Sequence, residues 1–483
     1  MTPAYIAFHA AERPDAVAIV DRGREITYAQ FHRDLGRFVR AVAELGLRRG
    51  SSVAVAWGEF YPHWLLLIAC EELGLAAATF VANEGAAGAR LLETVDAVLS
   101  DFRPREVGPE RHRAVTPQWL AGVFARADAL MPALPPAHPD SPLRIVRTSG
   151  TTGVAKRLLL TRRMFDAYVE RKAWSLGVTR ETCTLVTMPF TSTGGYTLCT
   201  AVIRAGGTVL HAGSETSTAA ALADPARRLT HLRVTPLELK LVLDSLPPDF
   251  PKPVGLKVCT IGAALAAPLR ERAMARLASE IIISYASNEM PFATLARGGG
   301  SEGIGAVVPW VEAEVVDERD LPLPPGKAGR IRLRDPMMGT GYLDDPEGTA
   351  QRFQNGWFYP GDVGILRGPR RLQIVGREDE LMNLGGLKIA PSELEALVLR
   401  HATVGDIGVC MLVNPEGADE ICVAVVAPAH GDEELLARVT EAFRHNHVGR
   451  FHIVKLSRVP RNANGKIERA RLKEIIATGL GRR

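Results

Sequence analysis

The sequence has few cysteines, and no two of them form a C-x-x-C pair. The six are Cys70, Cys183, Cys199, Cys259, Cys410 and Cys422. Disulfide frameworks and structural zinc sites need cysteines at characteristic spacings, so this distribution favours neither. We expect unpaired, mostly buried thiols of a protein that resides in a reducing cytosol.

Signals for export and for membrane insertion are also missing. The N-terminal segment MTPAYIAFHAAERPD has no basic region followed by an apolar stretch, so it does not predict a secretory signal peptide. The most apolar segment, residues 64–80, contains Glu71 and Glu72 and predicts a buried helix rather than a membrane span. We therefore expect a cytoplasmic protein that does not bind membranes.

Charge of one sign is not in excess. The chain has 58 Lys and Arg against 54 Asp and Glu, a net charge of +4, which gives no electrostatic case for nucleic-acid binding. Within the basic residues lysine is scarce, with ten lysines against 48 arginines. The overall composition is that of a soluble globular protein, and the length predicts roughly three folding units. The sequence fits either a monomer or a homodimer.

Short apolar strands alternate with helical patterns through the first 300 residues. The strand-like runs include LRIVRTSG, TCTLVTMPF, GGTVLHAG, THLRVTP, LKVCTIG and EIIISYASNE. This alternation predicts an α/β fold with parallel, doubly wound sheets. Ligands of such sheets bind outside the carboxyl ends of the strands, so the polar residues that end these runs are candidate site residues.

The pattern changes after about residue 300. Short, closely spaced, turn-rich runs over 300–378 predict an antiparallel, barrel-like subdomain. From about residue 380 a helix, two strands and a second helix predict a smaller unit of about a hundred residues, a normal size for a domain.

The most informative segment follows a predicted strand and combines two glycines, four hydroxyl residues and one lysine. It is Thr148-Ser149-Gly150-Thr151-Thr152-Gly153-Val154-Ala155-Lys156. Such a loop can fold its N–H groups and hydroxyls around phosphate oxygens while the lysine neutralises charge. It is not a Walker A loop, because Lys156 lies three residues past Gly153 and precedes Arg157. Taken alone, the segment is equally typical of a surface turn.

Five further segments carry groups that suit a nucleotide. The first, residues 285–289, offers the ring of Tyr285, the amide of Asn288 and the carboxylate of Glu289, which suits Mg²⁺. The others place Asp362 in a tight turn, Arg377 after a strand, two glycines before a helix, and Lys466 on a turn. In sequence they are GWFYPGD (356–362), GRED (376–379), GGLKIAPSELE (385–395) and PRNANGKIER (460–469).

Together and in this order, the six segments resemble those of the adenylate-forming superfamily of acyl- and aryl-CoA synthetases, nonribosomal-peptide adenylation domains and luciferases. The resemblance covers nearly the whole chain. It implies a large AMP-binding N-terminal domain, residues 1–378, built of two doubly wound subdomains and a distorted β-barrel. It also implies a small mobile α+β C-terminal domain, residues 379–483, that carries the catalytic lysine.

The resemblance further implies a reaction in two halves. A carboxylate attacks the α-phosphate of ATP to give acyl-AMP and pyrophosphate, and a thiol then displaces AMP. The implied cofactors are ATP, Mg²⁺ and CoA, or a phosphopantetheinyl carrier protein in place of CoA.

Residue roles follow from the same resemblance. Lys466 matches the lysine that bridges the carboxylate and the α-phosphate, and Glu289 matches the Mg²⁺ ligand. Asn288 takes the place of a threonine and can still donate a hydrogen bond to phosphate. Asp379 matches the hinge about which the small domain rotates, and that rotation brings Gly385 and Gly386 to the thiol tunnel. The implied ATP- and AMP-binding residues are Thr148, Ser149, Gly150, Thr151, Thr152, Gly153, Lys156, Gly262, Ala263, Ala264, Tyr285, Ala286, Asp362 and Arg377.

Several positions depart from the family pattern, and they put gating, substrate geometry and turnover in question. Ala155 and Arg157 replace a proline and a glycine beside Lys156. Arg157 either reinforces phosphate binding or points to solvent, and we expect the second. Further departures are Ala286 for a glycine, Asn288 and Pro360 for threonines, and Ser192 for an aromatic residue or histidine.

The implied acyl pocket is small and weakly polar. It draws on Ser192, Thr193, Gly194, Gly195 and Val234, together with residues 262–264. Amino-acid-activating relatives place an aspartate near position 193 for the substrate ammonium group, and this chain has none there. We therefore expect an aryl or medium aliphatic acid, with side-chain details deciding among acids.

Three functions remain open at this stage. The favoured one is an acyl- or aryl-CoA synthetase. The second is a freestanding ligase that loads a carrier protein acting in trans, or another nucleophile. The third is a nucleotide-binding regulatory protein without strong catalysis, which the departures suggest and the retained charged residues argue against.

Overall fold

The structure is a computed structural model of the chain. It describes residues 1–81, 85–128, 137–147, 156–213, 216–224, 227–298, 303–384, 387–413, 419–444, 448, 451–462 and 465–480. Side chains are described for all of these except residues 85–87, 383, 384, 387 and 388.

Fourteen α-helices occur in the described residues. They are α1 (Thr2–Glu12), α2 (Tyr28–Ala43), α3 (Phe60–Leu73), α4 (Gly85–Thr94), α5 (Pro117–Phe124), α6 (Arg162–Leu176), α7 (Thr193–Arg204), α8 (Thr218–Ala223), α9 (Pro236–Ser245), α10 (Ala267–Arg276), α11 (Pro346–Arg352), α12 (Pro391–His401), α13 (Asp432–Phe443) and α14 (Arg469–Gly479). A 3₁₀-helix spans Glu378–Glu380.

The described strands number 26. They are β1 (Val17–Asp21), β2 (Arg24–Thr27), β3 (Ser52–Val55), β4 (Ala76–Thr79), β5 (Ala97–Ser100), β6 (His112–Ala114), β7 (Pro142–Arg147), β8 (Arg157–Thr161), β9 (Cys183–Leu185), β10 (Thr208–His211), β11 (His231–Val234), β12 (Lys257–Thr260), β13 (Glu280–Tyr285), β14 (Thr294–Arg297), β15 (Ile304–Val307), β16 (Glu312–Val316), β17 (Ala328–Arg334), β18 (Phe353–Gln354), β19 (Trp357–Phe358), β20 (Asp362–Gly368), β21 (Arg371–Arg377), β22 (Met382–Leu384), β23 (Leu387–Ile389), β24 (Asp406–Val413), β25 (Asp419–Val426) and β26 (Phe451–Lys455).

The chain divides into two compact units, each assembled from separate stretches of sequence. The first unit comprises Met1–Arg233, Ser287–Phe292 and Asp335–Gln354. The second comprises Val234–Ala286, Ala293–Arg334 and Asn355–Arg483. The predicted boundary between residues 378 and 379 stays a prediction.

The first unit contains mostly parallel strands. One sheet has the order β6-β5-β3-β4-β7-β8, in which only β8 runs antiparallel to its neighbour. In the other group β11, β9, β10 and β1 are parallel and β2 forms an antiparallel hairpin with β1. The alternation of short apolar runs with helices therefore predicted the parallel strands correctly.

The second unit is largely antiparallel. Its main strands follow the order β19-β17-β20-β21-β15-β14-β13-β12, and β12 and β13 form its parallel pair. A separate three-stranded sheet, β24-β25-β26, belongs to the C-terminal hundred residues. The predicted α/β class is confirmed, and the turn-rich region after residue 300 forms antiparallel strands as expected.

The C-terminal sheet has an apolar core of its own. Residues of α12 and α13 pack on one side of it, among them Leu394, Val398 and Val439. Residues of α14, Leu472 and Ile476, contribute to a second cluster with residues of β24 and β25. Burial of this apolar surface is the main force that holds these elements together.

Threonine side chains fix the starts of several helices. Thr27, Thr161 and Thr235 each accept a hydrogen bond from a backbone N–H of the first helical turn. At Thr235 the cap is reciprocal, because the Glu238 carboxylate also accepts from the Thr235 N–H. These caps satisfy N–H groups that the helix itself leaves without partners.

The cysteines agree with the expectation from the sequence. Five of the six cysteines are buried, Cys183 is partly exposed, and all six are in the thiol form rather than in disulfides. Within the described ranges, no helix has both the length and the apolar character needed to cross a bilayer.

Candidate functional site

Lys156 lies immediately before β8 and is the one residue of the predicted phosphate loop that the structure describes. Residues 148–155, which include Thr148, Ser149, Gly150, Thr151, Thr152 and Gly153, lie outside the described residues. The Lys156 ammonium is 3.2 Å from Oδ2 of Asp345 and 4.7 Å from the ring centre of Tyr342. An ion pair and a cation–π contact thus hold its charge in place.

Asp345 is itself fixed by the start of α11. Its Oδ1 accepts a 2.8 Å hydrogen bond from the Gly348 N–H, as the N-cap of a helix whose first residue is Pro346. The Gly348 N–H, followed by Lys156, holds the pKa of Asp345 below its ordinary value. A methyl group at Gly348 would overlap both the Asp345 carboxylate and the Lys156 ammonium, so a larger residue here would displace this ion pair.

Glu289 is buried and is tied to the same tyrosine. The Tyr342 hydroxyl donates a 2.7 Å hydrogen bond to Oε1 of Glu289. Burial, with the Glu289 carboxylate as the second cause, raises the pKa of Tyr342, so its hydroxyl remains a donor. One aromatic side chain therefore contacts both Lys156 and the predicted metal ligand.

The Glu289 carboxylate suits Mg²⁺. This ion binds proteins through one or two carboxylates and completes its octahedron with water and substrate phosphates. In the described part of the chain, no cluster of three or more His, Cys, Asp or Glu is placed to hold a metal ion. A single buried carboxylate is the donor set expected of an ion that arrives with a phosphate ligand.

Asn288 connects Glu289 to the start of the predicted phosphate loop. Its Nδ2 donates a 2.7 Å hydrogen bond to the carbonyl of Arg147, the last residue of β7. Its own carbonyl accepts from the Tyr168 hydroxyl at 3.3 Å. The amide that replaces the family threonine thus anchors the strand that enters the loop.

Arg157 contradicts the expectation that it points to solvent. It is 8% exposed and forms an ion pair with Asp344. It also donates to the Thr94 hydroxyl and to the Arg90 carbonyl. The expectation failed because β8 is packed, so its first side chain turns inward to partners distant in sequence.

In the second unit, strand register places Asp362 opposite Arg377, and the Tyr285 side chain contacts the same aspartate. Asp362 opens β20 and lies opposite Arg377, the last residue of the antiparallel β21. The Tyr285 hydroxyl donates to Oδ2 of Asp362, and Nη1 of Arg377 is 3.4 Å from Oδ1. The carboxylate thus links the aromatic ring to the guanidinium.

Arg377 makes two further contacts. It donates 2.6 Å and 3.2 Å hydrogen bonds to the Pro360 carbonyl and to Oδ1 of Asp379. Burial lowers the pKa of Arg377, but Asp362 and Asp379 outweigh it and raise the pKa overall. Pro360 lacks the family hydroxyl, and its backbone oxygen orients the arginine. Asp379, the predicted hinge, lies in the 3₁₀-helix that follows.

Four other residues predicted to bind the nucleotide lie in exposed loops of the second unit. Residues 262–264 follow β12, and Gly262 has a φ of +89°, which glycine adopts without strain. Ala263 and Ala264 are exposed, and so is Ala286 after β13. Small side chains at these points leave the backbone accessible.

Lys466 is exposed on a short turn that is held from both sides. Its N–H donates to Oδ1 of Asn462, and its carbonyl accepts from the Asn462 N–H at 2.9 Å. Arg461 donates to the Gly465 carbonyl while it forms an ion pair with Asp406 on β24. Gly465 has a φ of +74°, and a methyl group there would lie 3.2 Å from the hydroxyl oxygen of Thr235.

The predicted acyl-pocket residues 192–195 begin α7 in the first unit. Ser192 caps the helix through a long, 3.5 Å hydrogen bond from the Gly195 N–H. A methyl group at Gly195 would lie 2.8 Å from the Met188 carbonyl, so only glycine fits. Val234 is the buried last residue of β11. Gly385 and Gly386, predicted for the thiol tunnel, lie outside the described residues.

Sequence reasoning missed Tyr342 and Asp345, which contact two predicted site residues. An aspartate followed by a proline is a signal for the start of a helix, and this signal at Asp345 and Pro346 could have marked Asp345. No local signal marks Tyr342, because its partner Glu289 is 53 residues away in sequence.

A family model described as AMP-binding enzyme matches residues 6–343, well over half of the chain. The chain belongs to the AMP-binding enzyme family. This AMP-binding enzyme is therefore a member of the AMP-forming acid–thiol ligases, which adenylate an acid and then form a thioester.

Curated relatives match this AMP-binding enzyme over nearly its full length. The chain is 29% identical to a sulfoacetate–CoA ligase of Cupriavidus necator, over 97% of this chain and 96% of that protein. It is 28% identical to 4-coumarate–CoA ligase-like 9 of Oryza sativa, over 98% of this chain and 92% of that protein. It is 27% identical to the fatty acid–[acyl-carrier-protein] ligase ScoC of Streptomyces coeruleorubidus, over 97% of this chain and 95% of that protein.

Solved structures confirm the fold of this AMP-binding enzyme. ATP-bound MatB from Rhodopseudomonas palustris aligns with a TM-score of 0.84 at 21% identity, over 98% of this chain and 99% of that one. The o-succinylbenzoate coenzyme A synthetase MenE from Bacillus subtilis was solved in complex with ATP and a magnesium ion. It aligns with a TM-score of 0.82 at 20% identity, over 97% of this chain and 99% of that one.

Proposed function

We propose that the enzyme uses ATP to activate an aryl or medium aliphatic carboxylic acid and transfers the acyl group to a thiol, namely that of CoA. The observation that carries the proposal is the connected set of Lys156, Tyr342 and Glu289. A fixed ammonium and a buried carboxylate share one aromatic side chain, which is an arrangement suited to a metal–triphosphate group.

We assign the nucleoside part of ATP to Tyr285, Asp362 and Arg377. The ring of Tyr285 stacks on the base, and the Asp362 carboxylate accepts hydrogen bonds from ribose hydroxyls. Arg377, oriented by the Pro360 carbonyl, contacts the ribose and phosphate region. Residues 262–264 and Ala286 supply exposed backbone beside the nucleotide.

We assign the phosphates and the metal to Lys156, Asn288 and Glu289. Lys156, with residues 148–153, binds the β- and γ-phosphates. The Glu289 carboxylate holds Mg²⁺, which when bound neutralises phosphate charge. The Asn288 side-chain amide keeps its hydrogen bond to the Arg147 carbonyl, and its second N–H donates toward phosphate.

Lys466 acts in the first half-reaction. A carboxylate oxygen of the acid attacks the α-phosphorus, and the bond from that phosphorus to the oxygen bridging to the β-phosphate breaks, releasing pyrophosphate. The attacking and attacked groups are both anionic. A positioned ammonium lowers their repulsion and stabilises charge in the pentacoordinate transition state.

The second half-reaction uses a different part of the C-terminal domain. Rotation about Asp379 removes Lys466 and brings Gly385 and Gly386 to the path of the thiol. The thiol sulfur attacks the acyl carbon, and the bond from that carbon to the AMP oxygen breaks. The products are a thioester and AMP, and the thiol proton goes to solvent.

The test is acid-dependent exchange of radiolabelled pyrophosphate into ATP, followed by thioester formation from supplied acyl-AMP. Lys466→Ala is expected to abolish exchange and to spare thioester formation. Lys473→Ala, another exposed lysine of the C-terminal region, is the matched control and should retain both. Equal loss of both half-reactions in Lys466→Ala would contradict the assigned role.

A carrier protein is the second candidate for the acyl acceptor. The ScoC relative is named for an acyl-carrier-protein substrate and matches 97% of this chain. Comparing CoA with a phosphopantetheinylated carrier protein as acceptor, at equal thiol concentration, decides between them. Faster thioester formation on the carrier would overturn the CoA assignment.

A further inference from the structure

Two consecutive acidic residues face two consecutive basic residues at the end of the predicted phosphate loop. Asp345 pairs with Lys156 at 3.2 Å, and Asp344 forms an ion pair with Arg157. The backbone explains this pairing, because Leu343 lies opposite Arg157 in an antiparallel bridge and donates a 2.7 Å hydrogen bond from its N–H to the Arg157 carbonyl. The segment that carries both acids is therefore held in one register against the first residue of β8.

Arg157 anchors this end of the loop through three partners. Its buried guanidinium donates to the Arg90 carbonyl and to the Thr94 hydroxyl, both on α4, and pairs with Asp344. Asp344 has a φ of +55°, a left-handed conformation that aspartate and asparagine tolerate better than most residues. The position after Lys156, where the family pattern has a glycine, thus carries a side chain that fixes the local backbone.

Asp345 is held by bonds that do not involve the lysine. Its Oδ1 accepts from the Gly348 N–H, which leaves Oδ2 for the Lys156 ammonium. Its backbone carbonyl accepts a 2.8 Å hydrogen bond from the Thr349 hydroxyl, and the oxygen of that hydroxyl accepts a 2.9 Å hydrogen bond from the Tyr342 N–H. The carboxylate and the tyrosine, which both contact the ammonium, are therefore tied to the same helix start.

The pair of Lys156 and Asp345 contributes little to the stability of the fold. The two side chains are 22% and 32% exposed, and solvent screening leaves such ion pairs a small net free energy. A lysine, however, carries its charge on a flexible four-carbon stem, and a site that must first immobilise such a stem binds its ligand more weakly. A partner that fixes the ammonium in the free enzyme removes this cost before the ligand arrives.

The charge of Asp345 also has an opposite effect on an anionic ligand, because a carboxylate repels phosphate. This repulsion acts past the Lys156 ammonium, and solvent and the Mg²⁺ that accompanies ATP both screen it. We therefore expect the placement of the ammonium to outweigh the repulsion. The two effects differ in sign, so a substitution that removes only the charge distinguishes them.

We propose that Asp345 and Arg157 are positioning residues for ATP binding, in which Asp345 places the ammonium of Lys156 and Arg157 fixes the backbone that carries it. The inference rests on the proposed function, since that function assigns Lys156 to the β- and γ-phosphates. Because both residues act through Lys156, they affect the binding of the nucleotide and not that of the acid.

The first experiment is a calorimetric titration of ATP with Mg²⁺ into the enzyme without acid. Asp345→Asn keeps the helix cap, because Asn and Asp are equally good N-caps, and it removes the charge. The Kd for ATP is expected to rise about two- to tenfold, the range for immobilising one flexible side chain. Glu347→Gln, which removes an exposed acid from the same helix start, is the control and should leave the Kd unchanged. Unchanged or tighter ATP binding in Asp345→Asn would overturn the proposal.

A double-mutant cycle tests whether Asp345 acts through Lys156. Lys156→Met is expected to weaken ATP binding, and adding Asp345→Asn to it should have no further effect, because the ammonium to be placed is gone. A purely structural role would weaken binding equally in both backgrounds, and that result would contradict the proposal. Asp345→Ser, a second uncharged cap, repeats the measurement, and thermal unfolding midpoints check that each variant is folded.

Substitutions of Arg157 test the anchoring of the backbone. In pyrophosphate exchange, Arg157→Met should raise the KM for ATP and leave the KM for the acid unchanged. Arg157→Lys is expected to recover part of the loss, because it restores the charge without the fork. Arg163→Met, which removes an exposed pair with Asp140 near the other end of β8, is the control. An unchanged KM for ATP in Arg157→Met, or equal rises for ATP and acid, would overturn the assignment.

Binding and exchange together separate this inference from the proposed function. If no acid supports exchange while ATP binding weakens in Asp345→Asn and not in Glu347→Gln, the proposed function fails and the positioning role stands. If exchange proceeds and Asp345→Asn binds ATP as wild type does, the proposed function stands and the positioning role is overturned.

Discussion

The hydroxyl of Tyr342 donates a 2.7 Å hydrogen bond to Oε1 of Glu289, while the ring of the same tyrosine lies 4.7 Å from the Lys156 ammonium. The two functions of the side chain are separable, because the hydroxyl orients a carboxylate and the ring faces a cation. This pairing gives a direct test of the proposed assignment of phosphate to Lys156 and of Mg²⁺ to Glu289.

Tyr342→Phe is expected to lower kcat/KM for exchange by about 10- to 100-fold, the value of one hydrogen bond to a charged group. The Mg²⁺ concentration at half-maximal rate should rise, because the Glu289 carboxylate loses its orienting donor. The KM for ATP should change less, since the ring beside Lys156 remains. Tyr61→Phe removes a comparable buried bond, to Asp34, and should leave the Mg²⁺ dependence unaltered.

Asp362→Asn removes the charge that links Tyr285 to Arg377. We expect the KM for ATP to rise about tenfold, because the ribose loses its acceptor and the arginine loses part of its ion pair. Asp320→Asn, which alters the Arg330 ion pair elsewhere in the second unit, is the control. A fall in kcat with unchanged KM for ATP would argue that Asp362 acts on the chemical step instead.

Gly465→Ala should slow adenylation and spare thioester formation from acyl-AMP. The φ of +74° strains any residue with a Cβ, and the new methyl group would press on Thr235 at 3.2 Å. Both effects displace Lys466. Gly326→Ala has a similar φ of +89° with open space around it, and it controls for backbone strain alone. The assignment fails if the two variants behave alike in both half-reactions.

His63 predicts a loss of stability in acid. Burial, then the positive charge of Arg144, lowers the pKa of His63 to about 3, against an ordinary value near 6.5. Below pH 6.5 the unfolded chain therefore binds a proton that the folded chain refuses, so stability falls as pH falls toward 3. Between pH 7 and pH 5, wild type should lose about 2 kcal/mol of unfolding free energy relative to His63→Gln. Urea unfolding at the two pH values measures this difference, and equal pH dependence would refute it.

Much of the fold could be predicted because local patterns encode it. The run EIIISY became β13 and KVCT became β12, paired in parallel as the alternation of strands and helices indicates. Strands of a parallel sheet are buried on both faces, so they occur in the sequence as short apolar runs bounded by small and polar residues. Such runs can be recognised from neighbouring residues alone. The α/β class was predicted correctly on this basis, and the family was predicted correctly from the six ordered segments that resemble it.

The remaining features depend on contacts between distant residues. Periodicity does not reveal that Arg157 would bury its guanidinium against Asp344, so the expectation of solvent exposure was wrong. The same holds for Tyr342 and Glu289, which belong to separate segments of the chain. The register of two strands, as for Asp362 and Arg377, is likewise set by tertiary pairing rather than by either segment alone.

One arginine ties the start of α14 to the residue that follows the proposed hinge. Arg469, at the start of α14, forms ion pairs with Glu380 and with Glu395 on α12, and it donates to the Val409 carbonyl. Arg377 is secured on the other side of Asp379 by Asp362 and Pro360. In the proposed rotation about Asp379, the hinge would therefore lie between two anchored residues, Arg377 and Glu380. Because the proposed hinge is this short, lengthening it is expected to make the rotation less well defined.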